Sequence, residues 1–198
     1  MDVPAATTKG RIMLRAAGPG CTIHYLTARD NRRTALRWYT SGIPGARTPD
    51  VARAVSAVGG AADVYRAVAA DLITVAIGVN DSIHADEQAL AGSAAALETL
   101  VRNLLDRQSA CVALMGAVPV REDYQPGPWR VRDAYRDLYR PVAEKFGIPL
   151  LEIEPAWGGY GRAARDGLVA DHVHPNVAGH AAIARGWVNL LNGSAPSR

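Results

Sequence analysis

The sequence predicts a three-layer α/β/α domain wrapped around a parallel sheet, and three observations predict it. Short apolar runs at residues 72–78, 111–118 and 148–153 alternate with longer stretches of helical periodicity. The first run, LITVAIG, has Thr74 as its one polar residue, the pattern of a strand buried on both faces. The chain has 198 residues, 48% hydrophobic and 21% charged, which suits one well-filled core.

Taken in order, residues 36–40 read as an early strand, followed by the turn sequence SGIPGARTPDV. Residues 49–69 read as one or two helices, with Pro49 early and Gly59-Gly60 as a break. The central strand at 72–78 leads into a long amphipathic helix at 85–107. A second strand at 111–118 precedes a helix at 131–146, in which Pro141 marks a kink or a restart. A third strand at 148–153 is followed by a loop at 157–166. The last helix begins near Pro175-Asn176 and runs to about Leu191. There is no repeat and no low-complexity linker, so residues 1–192 are expected to form a single domain, with 193–198 as a frayed tail.

Composition removes several function classes. The formal charge is +3, and the arginine-rich stretches at 29–33 and 130–140 are interleaved with aspartate. They read as solvated helix faces, so no nucleic-acid partner is expected. No apolar run is long enough to span a bilayer, and MDVPAATTKGR lacks the core of a signal peptide, so a cytoplasmic location is expected. Cys21 and Cys111 form no metal-type spacing and imply no disulfide framework. Cys111, inside SACVALMGAVPV, is expected to be a buried core thiol. Nothing in the sequence sets an oligomeric state.

In open α/β sheets, ligands bind beyond the carboxyl ends of the strands. After the early strand, Gly42 and Gly45 bracket a tight loop whose backbone could approach a ligand, or form an ordinary strand-to-helix turn. After the central strand, Asn80 could aim its amide at a developing oxyanion, or form an Asx-turn. Before the last helix, Asp171 and His174 stand three apart. That spacing lets the carboxylate accept from Nδ1 and leaves Nε2 free as a general base. The bland alternative is a capping aspartate beside a surface histidine. A metal site of His172, His174 and Asp171 ranks low, because residues two apart point in opposite directions in extended chain.

In order, the three blocks are Gly42-x-x-Gly45, Gly78-x-Asn80-Asp81, and Asp171-x-x-His174-Pro175-Asn176-x-x-Gly179-His180. Together they resemble the SGNH hydrolases, also called the GDSL esterase/lipase family, over residues 36–187. The resemblance implies a flavodoxin-like fold and acyl-ester hydrolysis without a metal or other cofactor. It also implies roles: the Gly45 N–H and the Asn80 side chain in an oxyanion hole, His174 as base, Asp171 as its orienting acid, and His180 as a structural residue.

One part of that family pattern is missing. The family's nucleophile is a serine in a G-D-S block after the first strand, and residues 1–40 contain no serine. In the preferred register Ala6 stands at the serine's position, with only Met1 to Val3 left for the first strand, as though that strand were truncated or the true start lay upstream. In a second register residues 12–17 form the strand, and Gly18-Pro19-Gly20 replaces the block. Thr7, Thr8, Cys21 and Thr22 are the nearby substitutes, and Cys21 is chemically the best of them. Ser41 is expected to support the glycine loop, and Ser82 to cap the next helix. The leading expectation is a divergent ester hydrolase acting on a small-molecule acyl ester. The alternative is an inactive binding module on the same fold, with acyl transfer as a third possibility. Tyr124, Trp129, Trp157 and Tyr160 could stack on sugars or aromatic acyl groups, but they are expected to anchor the loops around the pocket.

Overall fold

The computed structural model describes residues 40–57, 60–83, 87–107, 110–124 and 129–193. They lie within one unit of contacts, residues 38–198. Ala6, Cys21 and most of the expected early strand lie outside the described residues, while Thr40 has no regular structure.

The described sheet has three parallel strands in the order β1 (Leu72–Ala76), β2 (Cys111–Met115) and β3 (Leu150–Leu151). Leu72 pairs with Cys111 and Ala76 with Met115, while Leu114 pairs with Leu150. Three successive residues of β2, Val112, Ala113 and Leu114, are buried. Alternate side chains point to opposite faces, so both faces are covered and the three-layer arrangement holds.

Helices α1 (Thr48–Ser56) and α2 (Ala61–Ala67) flank Gly60, as the glycine pair predicted. Helix α4 (Glu87–Arg107) buries Leu97, Leu100, Val101 and Leu104, the i, i+3, i+4, i+7 stripe of a helix facing a core. That stripe joins Val55 of α1, Ile73 and Val75 of β1, and Leu114 of β2 in the larger hydrophobic cluster. A smaller cluster centres on Val118, Ile153, Trp157 and Ala163.

The predicted helix at 131–146 is two helices, α5 (Trp129–Arg136) and α6 (Tyr139–Phe146). Pro141 falls in the first turn of α6, where its missing N–H costs nothing, so it marks a restart. Two expected spans are corrected. The third strand is only two residues long, because Ile153 already opens α7 (Ile153–Trp157). The expected loop at 157–166 is largely helical, with α8 at Tyr160–Arg165. Cys111 is also corrected: its thiol is exposed, because it sits at the amino end of β2 where burial begins only at Val112. Among the described residues, no helix is long and apolar enough to cross a membrane.

Candidate active site

Two blocks at the carboxyl side of the sheet carry the predicted site residues. The first follows β1. Gly78 has φ +110°, and a Cβ there would lie 1.6 Å from the Tyr139 hydroxyl oxygen. Tyr139, 2% exposed, donates its hydroxyl to the Ile77 carbonyl. Burial, first, and the nearby Asp81 charge hold that phenol well above its ordinary pKa, so it stays a donor. Only glycine fits between this phenol and the strand end, which turns the chain into the short helix α3 (Val79–Ile83).

Asn80, on α3, donates Nδ2 to the Ala46 carbonyl at 3.0 Å, which leaves its second amide hydrogen for another acceptor. Ala46 follows Gly45, whose φ of +74° is a left-handed conformation. Ala46 N–H closes the turn onto the Ile43 carbonyl at 3.1 Å. Among the described residues the exposed Gly45 N–H has no acceptor. The structure therefore brings Gly45 and Asn80 together through Ala46.

Sequence reasoning passed over Asp81. It is 3% exposed and accepts from Thr48 N–H at 2.9 and 3.1 Å, from Thr48 Oγ1 at 3.2 Å and from Ser93 Oγ at 2.6 Å. One buried carboxylate thus caps the start of α1 and ties the Gly45 loop to α3 and α4. The available signal was an acid directly after the asparagine, which in isolation reads as a turn residue. Ser82 lies inside α3, where its hydroxyl donates to the Val79 carbonyl at 2.8 Å. Ser41 is exposed, ahead of the turn.

The second block is the turn before α9 (Val177–Leu191). A single antiparallel bridge pairs Val169 with Pro175, and Ala170 N–H bonds the His174 carbonyl at 2.8 Å. Asn176 caps α9 by accepting from Gly179 N–H at 3.0 Å, while its Nδ2 donates to the Gly167 and Val169 carbonyls. Gly179 is buried so tightly that a Cβ would meet the Leu168 carbonyl oxygen at 2.1 Å. The packing role in the Gly179-His180 pair belongs to the glycine. The expectation that His180 is structural is corrected, since that side chain is exposed.

Inside this frame Asp171 Oδ2 lies 2.8 Å from His174 Nδ1, and Oδ1 accepts from the N–H groups of Val173 and His174 at 2.9 and 2.8 Å. The backbone bond from Val173, then the bonds from His174, hold the Asp171 carboxyl well below its ordinary pKa. With the folded value depressed, the turn's stabilisation is complete above the ordinary value of 3.8 and is lost as pH falls through the lower, folded value. The Asp171 carboxyl carbon is therefore expected to titrate in a carbon-13 spectrum with its acid midpoint below the ordinary value of 3.8. An acid midpoint at or above that value would show the hydrogen-bonded turn to be unformed.

His172 faces elsewhere: its ring lies 5.3 Å from that of Tyr124, and its Nδ1 is buried without a hydrogen bond. Among the described residues no three of His, Cys, Asp and Glu converge as a metal would require. Of the four aromatic residues expected as loop anchors, Trp157 is 7% exposed and packs in the smaller core, whereas Tyr124 is 43% exposed.

Among the described residues of the two blocks, no hydrogen bond links Asn80 or Gly45 to Asp171 or His174. A cavity of about 640 Å³ lies beside both. Its wall includes Ser82, two residues past Asn80, and Tyr160, whose hydroxyl donates to the Asp171 carbonyl at 3.1 Å. Arg121, also in the wall, bonds the His172 carbonyl through its N–H at 2.9 Å.

Comparison with known proteins fits this layout. The chain is similar in fold to a lipase/acylhydrolase from Enterococcus faecalis, at 18% identity over 78% of this chain and 75% of that one, with a TM-score of 0.59. It is likewise similar to an acetylxylan esterase from Geobacillus stearothermophilus, at 22% identity over 74% and 68%, TM-score 0.56. An alpha/beta hydrolase from the metagenome of Lake Arreo gives 24% identity over 75% and 69%, TM-score 0.54. No curated protein matches the chain in sequence. A family model matches residues 8–182, a span that contains Gly45, Asn80, Asp171 and His174 and begins after Ala6. That match covers most of the chain, and the chain belongs to the GDSL-like lipase/acylhydrolase family of ester hydrolases.

Proposed function

We propose that the chain hydrolyses small carboxylic (acyl) esters, with His174 as general base, Asp171 as its orienting acid, and the Gly45 N–H and Asn80 amide as oxyanion donors. The observation that carries this reading is the 2.8 Å contact between Asp171 and His174 Nδ1, held in a bridged and capped turn. The contact fixes the tautomer that leaves Nε2 able to take a proton. Catalytic mutants of the Geobacillus acetylxylan esterase alter an aspartate and a histidine three positions apart, the spacing found here. On the oxyanion side, the bond from Asn80 to Ala46 pre-orders one donor beside Gly45, so charge developing on the carbonyl oxygen would meet donors already in place.

The candidates for an attacking side chain, Thr7, Thr8, Cys21 and Thr22, lie outside the described residues. Cys21 is the strongest nucleophile among residues 1–40, and a water activated by His174 is the alternative. Loss of turnover in Cys21→Ala at unchanged fold names the thiol; retained turnover removes it and leaves the three threonines or water. Asn80→Ala is expected to lower kcat on p-nitrophenyl acetate by about 10²–10³-fold with little change in KM, the usual cost of one oxyanion donor. An unchanged kcat would remove Asn80 from the mechanism.

A second reading, a non-catalytic binding module, is favoured by one observation: residues 1–40 contain no serine. It expects saturable ligand binding without turnover.

A further inference from the structure

We propose that Asp81 is a positioning residue for the oxyanion side of the site: touching no substrate itself, it holds the Gly45 loop against Asn80 so that the two donors face one point. The proposal rests on the ester-hydrolase reading above and adds a residue to it.

The carboxylate is buried, and among the described residues no cation pairs with it. A buried charge is costly unless hydrogen bonds replace its water. Neutral donors do so here: Thr48 N–H, Thr48 Oγ1 and Ser93 Oγ. Arg47, at the N-cap of α1, has no acceptor in its side chain, so the first N–H of the helix turns to a residue 33 positions away. The start of α1 is thereby fixed relative to α3 and not by its own turn.

Asn80 and Asp81 are consecutive on α3 and grip one loop at two points. Asn80 holds the Ala46 carbonyl at 3.0 Å, and Asp81 holds the Thr48 N–H at 2.9 and 3.1 Å. Gly45 lies directly before Ala46. One bond would leave the loop free to pivot about it, whereas two fix its direction. Helix α4 anchors the arrangement: Ser93 Oγ bonds Asp81 at 2.6 Å, and Asn103 Nδ2 bonds Ser56 Oγ at 2.7 Å. Both ends of α1 are tied to α4, one of them through Asp81. Charge alone works the other way. A carboxylate near a developing oxyanion raises its energy, so Asp81 favours the reaction only through the geometry it holds. Geometry has the larger effect, since a displacement of about 1 Å can cost about 10²-fold.

The test uses the full chain with p-nitrophenyl acetate and its thiono counterpart, in which sulfur replaces the carbonyl oxygen. Donors placed for an oxyanion favour the oxygen ester, because sulfur is larger and a weaker acceptor. The oxygen-to-sulfur ratio of kcat/KM therefore reads the donors, and a general loss of folded protein cancels from it. Asp81→Ala is expected to lower that ratio by about 10-fold or more, as Asn80→Ala does, with the loss on kcat and little change in KM. Asp81→Asn should bring the ratio back to within about 3-fold of wild type, since its amide oxygen can accept from Thr48 and its Nδ2 can donate to Ser93 Oγ. A wild-type ratio in Asp81→Ala beside a lowered one in Asn80→Ala overturns the proposal, and so does an Asp81→Asn ratio as low as that of Asp81→Ala. If Asp81→Ala fails to fold, Ser93→Ala removes the hydroxyl that steadies the carboxylate, and the same ratio should fall by about 3-fold or more. An unchanged ratio in Ser93→Ala then overturns the proposal. If the wild type turns over neither ester, or Asn80→Ala keeps the wild-type ratio, the oxyanion role proposed above falls instead. Hydrogen exchange then reads the loop without turnover: the Ala46 N–H, bonded to the Ile43 carbonyl, should exchange about 10-fold faster in Asp81→Ala. An unchanged Ala46 rate in that variant overturns the positioning by Asp81.

Discussion

Asp171→Asn is expected to lower kcat for ester hydrolysis by about 10³–10⁴-fold while the protein stays folded. The substitution is nearly isosteric. Its Oδ1 can still accept from the N–H groups of Val173 and His174, so the turn keeps its backbone bonds. What changes is the group facing His174 Nδ1, 2.8 Å away in the native pair. An amide NH₂ there can only donate, which drives the imidazole proton to Nε2 and removes the base. Circular dichroism and the denaturation midpoint should be close to wild type, and the loss should fall on kcat. A wild-type kcat in Asp171→Asn would mean that the carboxylate does not orient a catalytic imidazole.

Gly78→Ala should be the most damaging single methyl in the described fold. The added Cβ would lie 1.6 Å from the Tyr139 hydroxyl oxygen and 2.9 Å from the ring carbon bearing it. Tyr139 cannot swing away, because it is 2% exposed and its hydroxyl is bonded to the Ile77 carbonyl. Overpacking costs about 1–3 kcal/mol, and a positive φ on a residue with a Cβ adds about 1–3 kcal/mol. A loss of about 3 kcal/mol or more in denaturant unfolding is the expected result. Tyr139→Phe alone should cost about 1 kcal/mol, the value of its lost hydrogen bond. Combined with Gly78→Ala, it should recover part of the loss by removing the closest atom, a sign of direct coupling. Additive losses in the double variant would place the strain elsewhere.

The elements that sequence reasoning placed correctly have strong local signals. The run LITVAIG, the break at Gly60 and the Asp171-to-His174 spacing each follow from neighbours a few residues away. What it missed depends on contacts between distant segments. Asp81 bonds Thr48, 33 positions away, and only that contact turns a surface-looking acid into the buried peg beneath the Gly45 loop. Tyr139 reaches Ile77 across 62 positions, and nothing in its helix announces it. Cys111 was misjudged because an apolar run states that a strand is buried without stating where along the strand burial starts. Residues 157–166, with three glycines, read as loop. Yet Gly158 takes a left-handed C-cap conformation and Gly159 the N-cap of α8, so these glycines punctuate helices.

The central claim is that His174 is the working base of an ester hydrolase, and the most direct test is hydrolysis of p-nitrophenyl acetate by the full chain beside His174→Ala. The account predicts saturable turnover in the wild type and a loss of about 10³-fold or more in the variant, at unchanged denaturation midpoint. Equal, near-background rates in both proteins would contradict it.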